Sequence, residues 1–205
     1  MRNIVLPGEI VAESPQRIQN AYIENGKTYS KIMGMYEPNS RGIIPLEGSW
    51  NPNPEDTVVG VVLEPKGKVY IIDLMFFGRC LLIPNKFEDY SFETGDVIEA
   101  KITDVENRKT IILGGGKLLE GGKVIRVKPK KVLRVIGKKN TMIDQIKAIT
   151  KTDIVVGLNG IIWLRGGEMD LATDAIFKIE REAHVSGLTE SIKQYLESNT
   201  KTKSE

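Results

Sequence analysis

The sequence predicts a mainly β chain that turns to α+β in its second half. Three observations carry that prediction. Short Val- and Ile-rich runs, bounded by Gly, Pro, Asn or Asp, recur up to about residue 113. No helix of three turns is supported before residue 117. Beyond residue 130, apolar residues begin to repeat at helical spacing.

The elements divide into three pieces and a tail. Residues 1–54 hold a strand-like run, Thr28–Gly34, with turns at Asn25-Gly26 and Pro38-Asn39-Ser40. They end in a linker composition, Trp50-Asn51-Pro52-Asn53-Pro54-Glu55-Asp56. Residues 55–118 hold five strand candidates: Thr57–Leu63, Lys68–Leu74, Arg79–Ile83, Val97–Val105 and Thr110–Leu113. Turns are expected at Pro65-Lys66-Gly67 and Glu106-Asn107. Five is the strand count of a small barrel of the oligonucleotide-binding type. Gly114-Gly115-Gly116, followed by Gly121-Gly122, reads as a break, and Lys117 after it lacks the spacing of a phosphate loop.

Residues 119–197 read as β-α-α-β-β-α with a further helix. Lys123–Lys128 alternates as a strand, and Lys130–Ile136 is helical and stops at Gly137. Thr141 is the expected N-cap of the next helix, with Asp144 in the capping-box position. Asp153–Gly157 and Ile161–Arg165 are strands around Asn159-Gly160, a dipeptide that tolerates positive φ. A helix follows from Asp170, with Leu171, Ala175, Ile176, Ile179 and Ala183 on one face. After Ser186-Gly187 a shorter helix runs to about Glu197, and Ser198–Glu205 reads as a disordered tail.

Composition excludes several classes. The chain has 205 residues, with one Cys (Cys80) and one His (His184). That count removes intramolecular disulfides and Cys/His zinc sites. His184 sits in a charged helical pattern far from Cys80 and reads as a surface residue. No metal site and no cofactor are expected. No run reaches the ~20 apolar residues of a membrane helix. The start has a Pro7-Gly8 break and no signal-peptide core, so the chain reads as cytoplasmic, without a membrane partner.

Net charge is +2, from 29 Lys+Arg against 27 Asp+Glu. Its distribution matters more. Residues 121–150 carry 9 basic residues and 1 acidic residue, while each of the other blocks, 1–60, 61–120 and 151–205, is at −2. The basic block contains Lys131, Arg134 and the run Gly137-Lys138-Lys139-Asn140. Gly137 permits close backbone approach to a ligand. The loop opens onto a helix N-terminus, where free N–H groups and the helix dipole favour phosphate. Lys138 and Lys139 add mobile charge at the same place.

This segment resembles a KH domain of the type I (βααββα) topology, whose loop is Gly-X-X-Gly; here the second glycine is Asn140. The middle piece resembles an S1-type barrel, through Asp56-Thr57-Val58-Val59-Gly60-Val61-Val62 and Gly95-Asp96-Val97-Ile98-Glu99-Ala100-Lys101-Ile102. Such barrels stack bases on aromatic rings and neutralise phosphates with cations. The candidates are Tyr70, Phe76 and Phe77, with Lys66, Lys68 and Arg79. Gly157-Leu158-Asn159-Gly160-Ile161-Ile162-Trp163 resembles the Gly-X-Asn-Gly plus Trp signature of the exosome's S1–KH cap subunit. Gly157, Asn159, Gly160 and Trp163 are family markers whose expected role is structural. Pro7-Gly8-Glu9, Gly34, Pro45-Leu46-Glu47-Gly48 and Trp50 look like that family's first domain. Asn20 and Glu55 stand where relatives tend to have glycine.

The resemblance, to the ribosomal RNA-processing protein four family in its archaeal branch, covers about residues 4–196. It implies a non-catalytic RNA-binding subunit. Three copies would cap a ring of RNase PH-like subunits, docking through residues 1–54. The subunit would recruit single-stranded RNA, thread it into the 3′–5′ phosphorolytic ring and stabilise the complex. The alternatives are an assembly scaffold with little RNA binding of its own, a translation-associated S1–KH factor, and a stand-alone nuclease.

Overall fold

The computed structural model describes residues 3–36, 42–46, 48–86, 88–107, 109–183 and 187–201. The Pro38-Asn39-Ser40 turn, Glu47, His184 and residues 202–205 lie outside them. The chain forms two compact units, Met1–Ser49 and Trp50–Glu205.

Among its described residues the first unit holds six short strands: β1 (Asn3–Val5), β2 (Ile10–Ala12), β3 (Ala21–Glu24), β4 (Lys27–Ser30), β5 (Gly34–Tyr36) and β6 (Ile44–Pro45). They make two three-stranded sheets, β1-β5-β6 and β2-β4-β3. Val5, Ile18, Tyr36 and Ile43 form the core between them. The single strand predicted at Thr28–Gly34 is two strands. Ser30 donates its hydroxyl to Ile32 O at 2.6 Å, a local bond that competes with the ladder and ends β4. Gly34 then starts β5, where an added Cβ would meet Ile43 Cγ2 at 2.4 Å. The other strands are too short to show alternation in sequence.

The second unit begins with a closed barrel in the order β10-β11-β9-β8-β7. Its strands are β7 (Thr57–Lys66), β8 (Val69–Asp73), β9 (Arg79–Leu82), β10 (Val97–Glu106) and β11 (Thr110–Leu118). All pairs are antiparallel except β9 with β11. Alternate residues point inward; Val58, Val62, Leu82, Ile98, Ile102 and Ile111 are fully buried. β7 runs on through Pro65 and Lys66, so the expected break there narrows to the Gly67 turn.

Gly114-Gly115-Gly116 is no break. β11 continues through it to Leu118. Glu99 pairs with Lys117 and Lys101 with Gly114, so one extra residue sits on β11. Gly115, at φ 65°, supplies this bulge, and Gly116 lies where a Cβ would meet Leu82 Cδ2 at 2.8 Å. A bulge demands such residues, which in sequence look like a linker.

The rest of the unit follows the predicted βααββα order: β12 (Lys123–Arg126), α1 (Val132–Ile136), α2 (Thr141–Thr150), β13 (Asp153–Val156), β14 (Ile161–Arg165) and α3 (Met169–Arg181). A last helix, α4 (Leu188–Lys201), completes it. The sheet order is β12-β14-β13. The helices bury Val132, Ile146, Ile176, Ile179 and Ile192 against one face. The other face packs Ile161 and Trp163 against Val59 of the barrel and Leu119, just past the end of β11.

Two expectations at helix ends are corrected. Thr141 is the first helical residue of α2, and Asn140 occupies the N-cap; the Thr141 hydroxyl donates backward to Lys138 O at 2.9 Å. α4 is not shorter than α3 and does not stop at Glu197. Asn199 Nδ2 donates to Tyr195 O at 2.7 Å and the Thr200 hydroxyl to Leu196 O at 2.8 Å. The helix runs on to Lys201 with these polar side chains bonded back onto its preceding turn.

Candidate nucleic-acid interface

The basic loop joins α1 to α2. Gly137 ends α1 at φ 77° and ψ 172°, a region open in practice to glycine alone. A Cβ there would also meet Met142 N and Cβ at 2.7 Å. Lys138–Asn140 then make a tight turn that is kinked at Lys139. Lys139 and Asn140 are left-handed, at φ 53° and 64°. Buried Val132, Val135, Met142 and Ile143 anchor both sides of the loop. Lys138, Lys139 and Asn140 themselves are exposed. No side chain caps the start of α2. The loop thus presents two lysines and a helix start at one corner of the unit.

Arg134 is half-buried on α1, and neighbouring Leu133 is 68% exposed. Lys131 is occupied elsewhere: its Nζ donates to Glu180 O at 2.8 Å, in the last turn of α3. There it offsets the negative end of that helix.

The barrel candidates fall at two opposite ends. Lys66 and Lys68 flank the β7–β8 turn, and Lys66 pairs with Glu64 at 3.2 Å. Phe76, Phe77 and Arg79 lie beyond the far end of β8. Five residues of strand separate the two groups, about 16 Å of rise. Tyr70 lies in the core, 5% exposed, with its hydroxyl donating to Tyr90 O. Phe76 is partly buried against the barrel core and meets Trp50 edge-on at 6.0 Å. Phe77 is the open ring, 81% exposed and 4.3 Å from Phe76.

Sequence reasoning missed one neighbour here. The Arg79 N–H donates to Lys109 O at 2.8 Å, which places Lys109 beside the Phe77 loop. Parallel pairing of β9 with β11 brings them together, and nothing local in the sequence announces that pairing.

The Gly157–Gly160 turn sits against the barrel. Asn159 Nδ2 donates to Val59 O at 2.8 Å and Leu74 O at 3.2 Å, and Asn159 Oδ1 accepts from Val59 N at 3.3 Å. Leu158 N–H donates to Thr57 O at 2.9 Å. At Gly157 a Cβ would meet Val59 N at 2.6 Å, and at Gly160, φ 91°, it would meet Val127 O at 2.5 Å. Trp163 is buried, with Nε1 donating to Gly121 O at 2.7 Å. Among the described residues there is no cluster of three potential metal ligands, and no helix is long and apolar enough to cross a membrane.

Comparison with known proteins narrows this geometry to one family. Residues 2–47 match the model of the exosome RNA binding protein RRP4 N-terminal domain, and residues 122–169 match that of the KH domain. The exosome complex component Rrp4 of Methanothermus fervidus is 35% identical over 95% of this chain and 95% of its own. The chain belongs to the Rrp4 family. The Rrp4 of Pyrococcus horikoshii is 34% identical over 95% of this chain and 82% of its own. A crystal structure described as an exosome complex RNA-binding protein superposes with a TM-score of 0.66 at 26% identity. That match covers 76% of this chain and 99% of the other.

The three positions where the sequence resemblances lead one to expect glycine, Asn20, Glu55 and Asn140, share one property. All three residues are left-handed, at φ 64°, 71° and 64°. Asn20 compensates by donating Nδ2 to Ile43 O at 2.9 Å.

Proposed function

We propose that this chain is a non-catalytic RNA-binding subunit of an exosome. In this reading it takes up single-stranded RNA at the Gly137–Asn140 loop and passes it toward a phosphorolytic ring. The observation that carries the reading is that loop: Gly137 in a glycine-only conformation, two exposed lysines, and an uncapped helix start. Such a grip holds backbone phosphates and leaves the bases free. At the barrel, Phe77 supplies a stacking face, with Arg79 and Lys109 beside it. Stacking of this kind tolerates any base and contributes roughly 1–3 kcal/mol per base.

The ring of RNase PH-like partners, the three copies and docking through residues 1–54 belong to the same proposal. Purification from the native cell tests it. The chain should bring down ring nucleases. The pure chain with Mg²⁺ and phosphate should leave RNA intact, and its addition to the ring should raise RNA affinity. Co-purification with ribosomes instead would overturn the assignment.

A scaffold reading has one observation in its favour: Lys131 is spent on α3 and Lys66 on Glu64, so fewer cations face a ligand than the sequence suggests. It expects no RNA binding by the isolated chain even at low salt.

A further inference from the structure

A second cationic feature lies apart from the loop. A cleft of about 450 Å³ opens where the barrel meets the KH-like sheet. Lys117 enters it from β11, Lys147 from α2, and Arg165 from β14. Asp153 and Glu120 are its acidic members, so three cations face two carboxylates. Lys117 and Lys147 have no ion-pair or hydrogen-bond partner among the described residues. Arg165 is held only loosely, at 3.5 Å from Asp153 Oδ2 and 3.5 Å from Glu120 O. Its guanidinium lies 5.2 Å from the centre of the buried Trp163 ring.

Four other lysines of this unit do meet carboxylates: Lys66 with Glu64, Lys101 with Glu55, Lys123 with Asp170 and Lys178 with Glu182. Convergence of unpaired charge from two separate folds is unfavourable until an anion enters. The planar fork of an arginine set over an aromatic ring suits phosphate and base stacking together. Position matters as well. Lys147 lies seven residues beyond Asn140 on α2, about 10 Å along the helix. Among the described residues β13 beside it is the edge strand of its sheet, paired with β14. A strand leaving the loop along α2 therefore reaches the cleft before the barrel.

We propose that this cleft is a second phosphate-binding station for single-stranded RNA, between the loop and the barrel. The proposal rests on the RNA-binding reading above. The test is the salt dependence of oligoadenylate binding to the full chain, followed by anisotropy. It compares wild type, Lys117→Ala with Lys147→Ala, and Lys138→Ala with Lys139→Ala. Lys117 is exposed and Lys147 half-buried, and thermal melts would verify that each variant folds.

The cleft pair should lower the slope of log affinity against log salt by about 1.4, at about 0.7 per neutralised phosphate. The loss should appear with a long oligonucleotide and vanish with one too short to leave the loop. Lys117→Arg with Lys147→Arg should restore it. A loop pair that lowers the slope while the cleft pair leaves it unchanged would refute the cleft and spare the general reading. No change in either would refute both. A third arm adds inorganic phosphate at constant ionic strength. Saturable phosphate binding that the cleft pair abolishes, with an unaltered RNA slope, would mark a free-anion site and refute the RNA assignment.

Discussion

Gly137 carries the sharpest backbone demand in the chain. Its φ of 77° with ψ of 172° is closed to other residues, and Met142 occupies the space of a Cβ. Gly137→Ala should destabilise the protein by at least about 1–3 kcal/mol, the usual range for such strain. Urea denaturation measures this as a lower midpoint at constant slope. Glu55 predicts the opposite sign. It sits at φ 71° with its side chain exposed, and its contact with Lys101 is a long 3.8 Å surface pair. Glu55→Gly should raise stability by about 0.5–1 kcal/mol, read as a higher melting temperature, because glycine reaches that conformation without strain. Gly137 was legible in sequence as the loop's glycine, and Glu55 as a departure from an expected one. The partners of Asn159 were not. Val59 and Leu74 lie 100 and 85 residues away and offer only backbone atoms.

At the scale of elements, the Asn159 turn ties the KH-like sheet to the barrel. Asn159→Ala would leave buried backbone groups of Val59 and Leu74 unpaired, at about 1–3 kcal/mol for each group that water cannot reach. Calorimetry should show one cooperative transition in the wild type and two separated transitions in the variant. β9 gives a prediction in pH. Burial pushes the Cys80 thiol up from 9.0 to about 11. Between those values the unfolded chain has lost the proton that the folded chain keeps. Stability therefore falls as pH rises from about 9 to about 11. Burial and a bond to Glu88 likewise raise Tyr90, to about 12, which extends the fall above pH 10. Melting temperature measured from pH 8 to 11 should drop less steeply for Cys80→Val than for the wild type. Long strands and amphipathic helices were readable by their period. The two- to four-residue strands β1 to β6 were mostly not, since alternation needs more length. The glycines of β11 misled because a bulge and a linker use the same residue.

For the whole molecule, the charge distribution is the central fact. A net +2 conceals a block of 9 basic residues and 1 acidic residue at 121–150. Folding spends Lys131 on a helix end and leaves Lys138 and Lys139 outside, on a loop shaped by Gly137. Sequence placed that loop between two helices, where it lies, but grouped the barrel candidates by proximity in the chain, whereas a barrel sends the two ends of one strand to opposite rims. The deciding measurement is the RNA affinity of the assembled complex across a salt series, with wild-type chain and with Lys138→Ala plus Lys139→Ala. If the loop holds RNA, the variant binds more weakly at low salt and its salt slope is smaller by about 1.4, two phosphates at about 0.7 each. Equal affinity and equal slope in the two complexes would contradict the account.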